Sequence, residues 1–230
     1  KEGMSFEKGF AASYFITNHD KTLCEIYEPY ILITDQRISI NGDIYPFLKR
    51  LTEQNIKNIV IIGLIETEAL EFLVANTLGK VINALVINPP GLGEKKKEMM
   101  EDIAASCGAT VHWGSFEKSL KDIPITDLGR ADKVESNADT TEIVGGRGTK
   151  ETINARILHI KNLMEASKSE WDKEVFKQRV AKLSTGAAII KVGAPTEVQM
   201  RELKLRADDA VGATQAAIEE GVLAGGGITL

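Results

Sequence analysis

Cysteine and histidine are scarce in this chain, with two and three among 230 residues. Cys24 and Cys107 stand far apart, with no CxxC pair. That excludes a disulfide framework and fits a reducing compartment, so a cytoplasmic location is expected. His19, His112 and His159 lack metal-ligand spacing, and no metal site is expected. Basic charge is also short: 28 Lys and Arg face 33 Asp and Glu, a net charge of −5. No basic footprint is left for nucleic acid or an anionic membrane, and neither is an expected partner. The longest apolar run, Ile59-Val60-Ile61-Ile62 with Gly63-Leu64-Ile65, falls far below the ~20 residues of a transmembrane helix. No secretory signal pattern opens the chain.

What remains is ordinary globular composition, 43% hydrophobic and 27% charged. The middle of the chain alternates short Val- and Ile-rich runs with helical patterns, which indicates an α/β fold. Residues 58–62, 81–87 and 109–113 are expected strands, with helices over 43–54, 66–78 and 94–106. Thr140 to Val144 reads as a further strand ending in the Gly145-Gly146 turn. Helices are expected over 150–168 and 173–183, then a late strand over 187–192. Thr196 and Gln199 form a capping box opening a helix that runs to about Glu220, where Gly221 ends it. The change of character near Gly193 suggests a domain boundary. The last residues, Val222 to Leu230, carry a glycine triplet with nothing after it to pack against or bind. They read as a cut through a larger protein.

Several stretches bear weighing as candidates for chemistry. The helix over 66–78 has apolar residues at Ala69, Leu70, Phe72, Leu73, Val74, Ala75 and Leu78, which surround the cylinder instead of marking one stripe. The preceding helix, with Ile44, Tyr45, Phe47, Leu48 and Leu51, is also richer than one buried face needs. Either both helices are buried all round or they line an apolar surface groove. Asn88-Pro89-Pro90-Gly91-Leu92-Gly93 precedes a helix and invites comparison with phosphate-cradling loops, but lacks a full nucleotide pattern. Gly145 to Thr152 places Glu151 where a P-loop needs a hydroxyl, so it reads as a loop feeding a helix. Asp208-Asp209 in the long C-terminal helix could orient or deprotonate a water near a Mg²⁺-bound phosphate.

The combination of these segments resembles the group I chaperonins, the GroEL family. The resemblance rests on Glu2 to Phe10 with Ser13-Tyr14-Phe15, on Pro89 to Gly93 and on Asp139-Thr140-Thr141. It continues through Arg179 to Gly186, Lys191 to Ala194 and Glu219 to Gly227. It covers the whole chain and implies a chaperonin apical domain over 2–187, with sheet layers flanked by helices. An intermediate-domain segment over 188–219, a strand and a long helix, would follow, and 220–230 would begin a truncated equatorial, ATP-binding segment.

The resemblance also implies function. The family captures non-native polypeptides, and the mobile loop of a GroES-type co-chaperonin, on an apolar groove. It forms heptameric rings and drives refolding by ATP binding and hydrolysis. The matching groove residues here are Phe10, Tyr14, Phe15, Tyr45, Leu48, Leu70, Val74 and Ala75, with Asn76 as a polar contact. Tyr45 departs from a usual aliphatic residue and Ala75 from a usual valine. Asp209 matches the family's catalytic carboxylate, and Gly226, between Gly225 and Gly227, matches a glycine lying against ATP. Lys8 and Glu197 match an inter-subunit salt bridge, with Lys replacing the usual Arg and losing its bidentate fork. ATP and Mg²⁺ are therefore expected cofactors of the full-length protein, and this piece is expected to lack ATPase activity. The competing expectation is a small-molecule or nucleotide-binding α/β domain that uses the 88–93 loop.

Overall fold

The computed structural model describes residues 3–18, 22–114, 120–185, 190 and 192–222. The chain divides into two compact units, Lys1–Ala187 and Ala188–Leu230.

The first unit is α/β, and its described strands form two sheets. The larger sheet has β3 (Tyr30–Ile38), β4 (Asn58–Ile65), β5 (Asn83–Ile87) and β6 (Val111–His112) in the order β5-β4-β3-β6, all parallel. The two-residue β7 (Gly129–Arg130) adds an antiparallel step on β3. Parallel strands covered on both faces need uninterrupted apolar runs. Ile31 to Ile33, Ile59 to Ile62 and Ala84 to Ile87 supply them and are buried. Pairing of β3 with β4 breaks between Ile33 and Arg37. There the buried Thr34 hydroxyl donates to the His112 carbonyl at 2.8 Å and accepts the Gln36 amide at 3.1 Å.

Helices α1 (Tyr45–Glu53), α2 (Thr67–Leu78) and α3 (Glu94–Cys107) connect these strands. Right-handed crossovers put α1 and α2 on one face of the sheet. Because β6 lies beyond β3, α3 crosses back over the other face. The smaller, antiparallel sheet has the order β1-β9-β8-β2, from β1 (Gly3–Phe6), β2 (Cys24–Tyr27), β8 (Lys133–Ser136) and β9 (Thr141–Val144). Its residues alternate, with Met4, Phe6, Cys24, Ile26, Val134 and Ile143 buried in the same core.

An ion-pair cluster fastens the hairpin of α4 (Lys150–Ala166) and α5 (Glu170–Thr185) to α3. Asp102 is 1% exposed. Its carboxylate accepts Arg156 Nε and Arg179 Nε, each at 2.7 Å. Both guanidinium groups also reach Glu98, at 2.7 and 2.8 Å, and Arg156 reaches Glu101 at 2.6 Å. Burial disfavours the Glu98 carboxylate, but the Arg179 hydrogen bond and the charges of Arg156 and Arg179 outweigh it. The Glu98 carboxyl is held below its ordinary value. Cys24 and Cys107 are both buried, and burial pushes both thiols up to about 12.

The glycine stretch after β9 is a crossing point. The Gly148 amide donates to the Ser106 carbonyl at 3.0 Å, and a Cβ on Gly148 would lie 2.0 Å from the Ala105 carbonyl oxygen. Only glycine lets this strand exit pass so close to the end of α3.

Several elements differ from the sequence expectation. The helix expected over 43–54 begins as a π-turn at Ile40–Ile44 and turns α-helical at Tyr45. The strand expected from 81 starts at Asn83, because the amides of Val81 and Ile82 fold back to the Asn76 carbonyl at the end of α2. The strand over 109–113 shortens to Val111–His112, and α5 starts at Glu170 instead of 173. β1, β2, β3, β7 and β8 are not among the expected strands. Of the strand expected over 187–192, residues 187–189 and 191 lie outside the described residues, and Ile190 and Val192 are not in a strand. No described residue of the second unit offers them a ladder partner.

The second unit holds α6 (Glu197–Glu220), whose 24 residues span roughly 36 Å. Thr196 caps it, its hydroxyl accepting the Gln199 amide at 3.3 Å, and Gly221 ends it at φ 83°.

Candidate functional site: an apolar surface around the second helix

The surface is built on α2, which packs on the sheet through Ala69 and Leu73, both buried. At 100° per residue, Leu70 and Val74 lie on one flank of that contact, and Phe72 and Asn76 on the other. All four are half-buried. Glu68, Glu71, Ala75 and Leu78 form the exposed crest, with Leu78 at 64%. The two flanks meet different neighbours.

One neighbour is the segment that edges the sheet. Phe10 bridges to Ile87 of β5, and the Ala11 amide donates to the Val86 carbonyl at 2.7 Å. The following 3-10 turn, Ser13–Phe15, packs on α2 and β5. Within it Phe15 points into the core at 1% exposure, while Tyr14 stands out at 68%.

The other neighbour is the start of α1. Ser39 fixes the π-turn, its amide and hydroxyl donating to the Asp43 carboxylate at 2.9 and 2.7 Å. Single π-turns inside helices recur at functional positions, since the extra residue re-aims the side chains after it. The first side chain past this turn is Tyr45, 54% exposed, with its ring edge-on to Phe72 at 6.2 Å between centroids and 66° between planes. Leu48, one turn on, is only 5% exposed and packs with Phe47 and Leu51 into the core. The Asn76 side-chain amide donates to the Phe72 carbonyl at 2.7 Å, closing that end of the flank.

The nine expected groove residues therefore do not form one trough. Phe10, Phe15, Leu70 and Val74 belong with Tyr14 on the first side, and Tyr45, Leu48 and Asn76 on the second, with Ala75 on the crest between them. Phe15 and Leu48 are core residues beneath the surface, not part of its exposed face. Phe15 follows Tyr14 by about a third of a turn in the 3-10 segment, and Leu48 lies one turn deeper into α1 than Tyr45, where the helix meets the core. Phe72, absent from the expected set, is what holds Tyr45. Its only signal in the sequence is that the helix after the one Tyr45 opens carries an aromatic residue of its own. Contacts offered by this surface are mainly apolar and non-directional.

The remaining expected residues belong to other elements. Lys8, in the first unit, is exposed, and its carbonyl accepts the Thr141 hydroxyl at 2.6 Å. Glu197, in the second unit, pairs with Arg201 at 2.8 Å within α6. Asp208 and Asp209 are exposed on α6, and Gly225, Gly226 and Gly227 lie outside the described residues. Among the described residues no group of three His, Cys, Asp or Glu could hold a metal ion. In the loop over 88–93, Pro89 and Pro90 are buried and Leu92 is exposed. At the start of α3, Glu94 pairs with Lys97 at 2.9 Å and adds a negative charge to the first turn, which disfavours a phosphate there.

An α/β domain that leaves apolar helix flanks open to solvent has the character of a protein-binding module. The model of the TCP-1/cpn60 chaperonin family matches residues 2–230, and the chain belongs to that family. Its role is accordingly that of a chaperone, which binds unfolded polypeptide and works as an oligomer.

Proposed function

We propose that this chain is the polypeptide-capturing part of a group I chaperonin and that the surface around α2 is where capture occurs. The observation that carries this reading is the exposure of Tyr45 and Tyr14 on either side of a helix whose own flanks stay half-open at Leu70, Phe72 and Val74. A folded domain with no partner would gain about 25 cal/mol for each Å² of such surface it covered. Unfolded clients expose matching apolar groups and native proteins mostly hide them. Non-directional burial thus selects for the non-native state without reading sequence.

The same surface would take the mobile loop of a GroES-type co-chaperonin, which then competes with client. In a heptameric ring, seven such surfaces around one cavity raise effective concentration, so each can be weak. Lys8 and Glu197 are candidates for a contact between neighbouring subunits. ATP and Mg²⁺ would act in the full-length cytoplasmic protein, with Asp209 and Gly225 to Gly227 contributing part of their site. This chain alone is expected to leave ATP intact.

The test is Tyr45→Glu combined with Val74→Glu: Tyr45 stands more than half exposed, and Val74 reaches solvent while packing on the edge of the core. Suppression of aggregation of a chemically unfolded client should fall at least about tenfold, the effect of roughly 1.4 kcal/mol of lost contact. The unfolding midpoint should stay close to wild type. A folded double mutant that protects the client as well as wild type removes the assignment.

A further inference from the structure

The two sides of α2 differ in how firmly their exposed aromatic residue is held. Tyr14 projects from a three-residue turn, and no ring partner is found for it among the described residues. Tyr45 is pinned. It opens a helix behind a hydrogen-bonded π-turn, and its ring rests edge-on against Phe72, which is itself packed against the core. Yet more than half of Tyr45 remains open to solvent. Beneath it lies the closed aliphatic floor of Leu48. About one turn along α2 from Phe72 comes Ala75, whose single methyl leaves the rim low, and beside it Asn76 already gives its amide to the Phe72 carbonyl.

We propose that the Tyr45–Phe72 pair makes this side of α2 selective for client segments that carry an aromatic side chain. The incoming ring passes over Ala75 and packs on the exposed part of Tyr45, extending a two-ring contact to three. The inference rests on the reading of this surface as the capture site. Rings prefer offset or edge-on neighbours at centroid separations of about 4.5–7 Å, and such pairs contribute beyond the area they bury. A wall already held in place loses little side-chain freedom when it is used. An aliphatic residue at position 45 would bury comparable area without distinguishing phenylalanine from leucine.

The experiment uses the 230-residue chain and two short fluorescein-labelled peptides, read by anisotropy. One peptide alternates leucine and serine, and its twin has the central leucine changed to phenylalanine. Wild type should bind the phenylalanine twin about two- to tenfold more tightly. In Tyr45→Leu that ratio should fall to about one while the leucine peptide keeps its affinity within about twofold. Phe72→Thr, which frees the Tyr45 ring, should lower the ratio as well. A ratio unchanged in Tyr45→Leu, or one that collapses in Tyr14→Leu instead, overturns the selectivity. If both peptides bind equally and Tyr45→Glu with Val74→Glu abolishes capture, the selectivity fails and the capture site stands. Binding of neither peptide to wild type overturns both.

Discussion

The two faces of the parallel sheet are closed by opposite means. On one, α3 receives the α4–α5 hairpin through Asp102, which is 1% exposed and held by two guanidinium groups. On the other, α2 settles on the sheet through Ala69 and Leu73 and leaves its flanks unfinished. Charges fixed by directional hydrogen bonds tolerate no substitute partner, so the hairpin has one seat. Apolar burial by itself fixes no single partner, so these flanks stay open to more than one chain. The contrast separates the face that maintains the domain from the face available to other chains.

Breaking the charged side should have the largest effect. Asp102→Ala leaves Arg156 and Arg179 short of a buried counter-charge and should cost about 3–5 kcal/mol in denaturant unfolding. A loss below about 1 kcal/mol would mean that Glu98 and Glu101 suffice and that the two faces differ less than the geometry indicates. On the apolar side, depth should decide the outcome. Leu48→Ala should cost about 2–4 kcal/mol because it opens a cavity in the core, whereas Val74→Ala should cost about 1 kcal/mol or less. Equal losses at the two positions would place Val74 in the core with Leu48 and erase the distinction between floor and rim.

Acid sharpens the comparison more gently. The folded Glu98 carboxyl titrates below its unfolded value, so its stabilising contribution is complete above the ordinary glutamate range near about 4.3. That contribution disappears as pH falls through the lowered folded value. Stability should therefore decline on acidification into that window, and less steeply in Glu98→Gln. Parallel curves for the two proteins would remove Glu98 from the account.

Much of the fold was legible in sequence because the helices carry long, strongly periodic signals. α2, α3 and α6 begin and end within about two residues of expectation, and the Thr196 cap and Gly221 stop are both present. Strands were harder. β3 joins the buried run Ile31 to Thr34 to the polar run Asp35-Gln36-Arg37, where its pairing with β4 is interrupted, so neither period describes it throughout. Val81 and Ile82 look like strand residues but serve as the exit from α2, a tertiary use that composition does not reveal.

The candidate site was legible as composition and not as depth. An excess of apolar residues marked both helices, yet nothing local distinguishes buried Leu48 and Phe15 from exposed Tyr45 and Tyr14. That depends on the π-turn and on the angle at which each segment meets the sheet. Nor does sequence spacing bring Asp102 to Arg156 and Arg179, since three separate helices supply the cluster.

Thiolates do the nucleophilic work in alkylation and disulfide exchange, and both native thiols are enclosed and hold their protons to about pH 12. A cysteine introduced at Tyr14 or Ala75 would then be the one readily labelled position. Dyes or cross-linkers could report from one side of α2 or from its crest without first stripping the protein of its own sulfur.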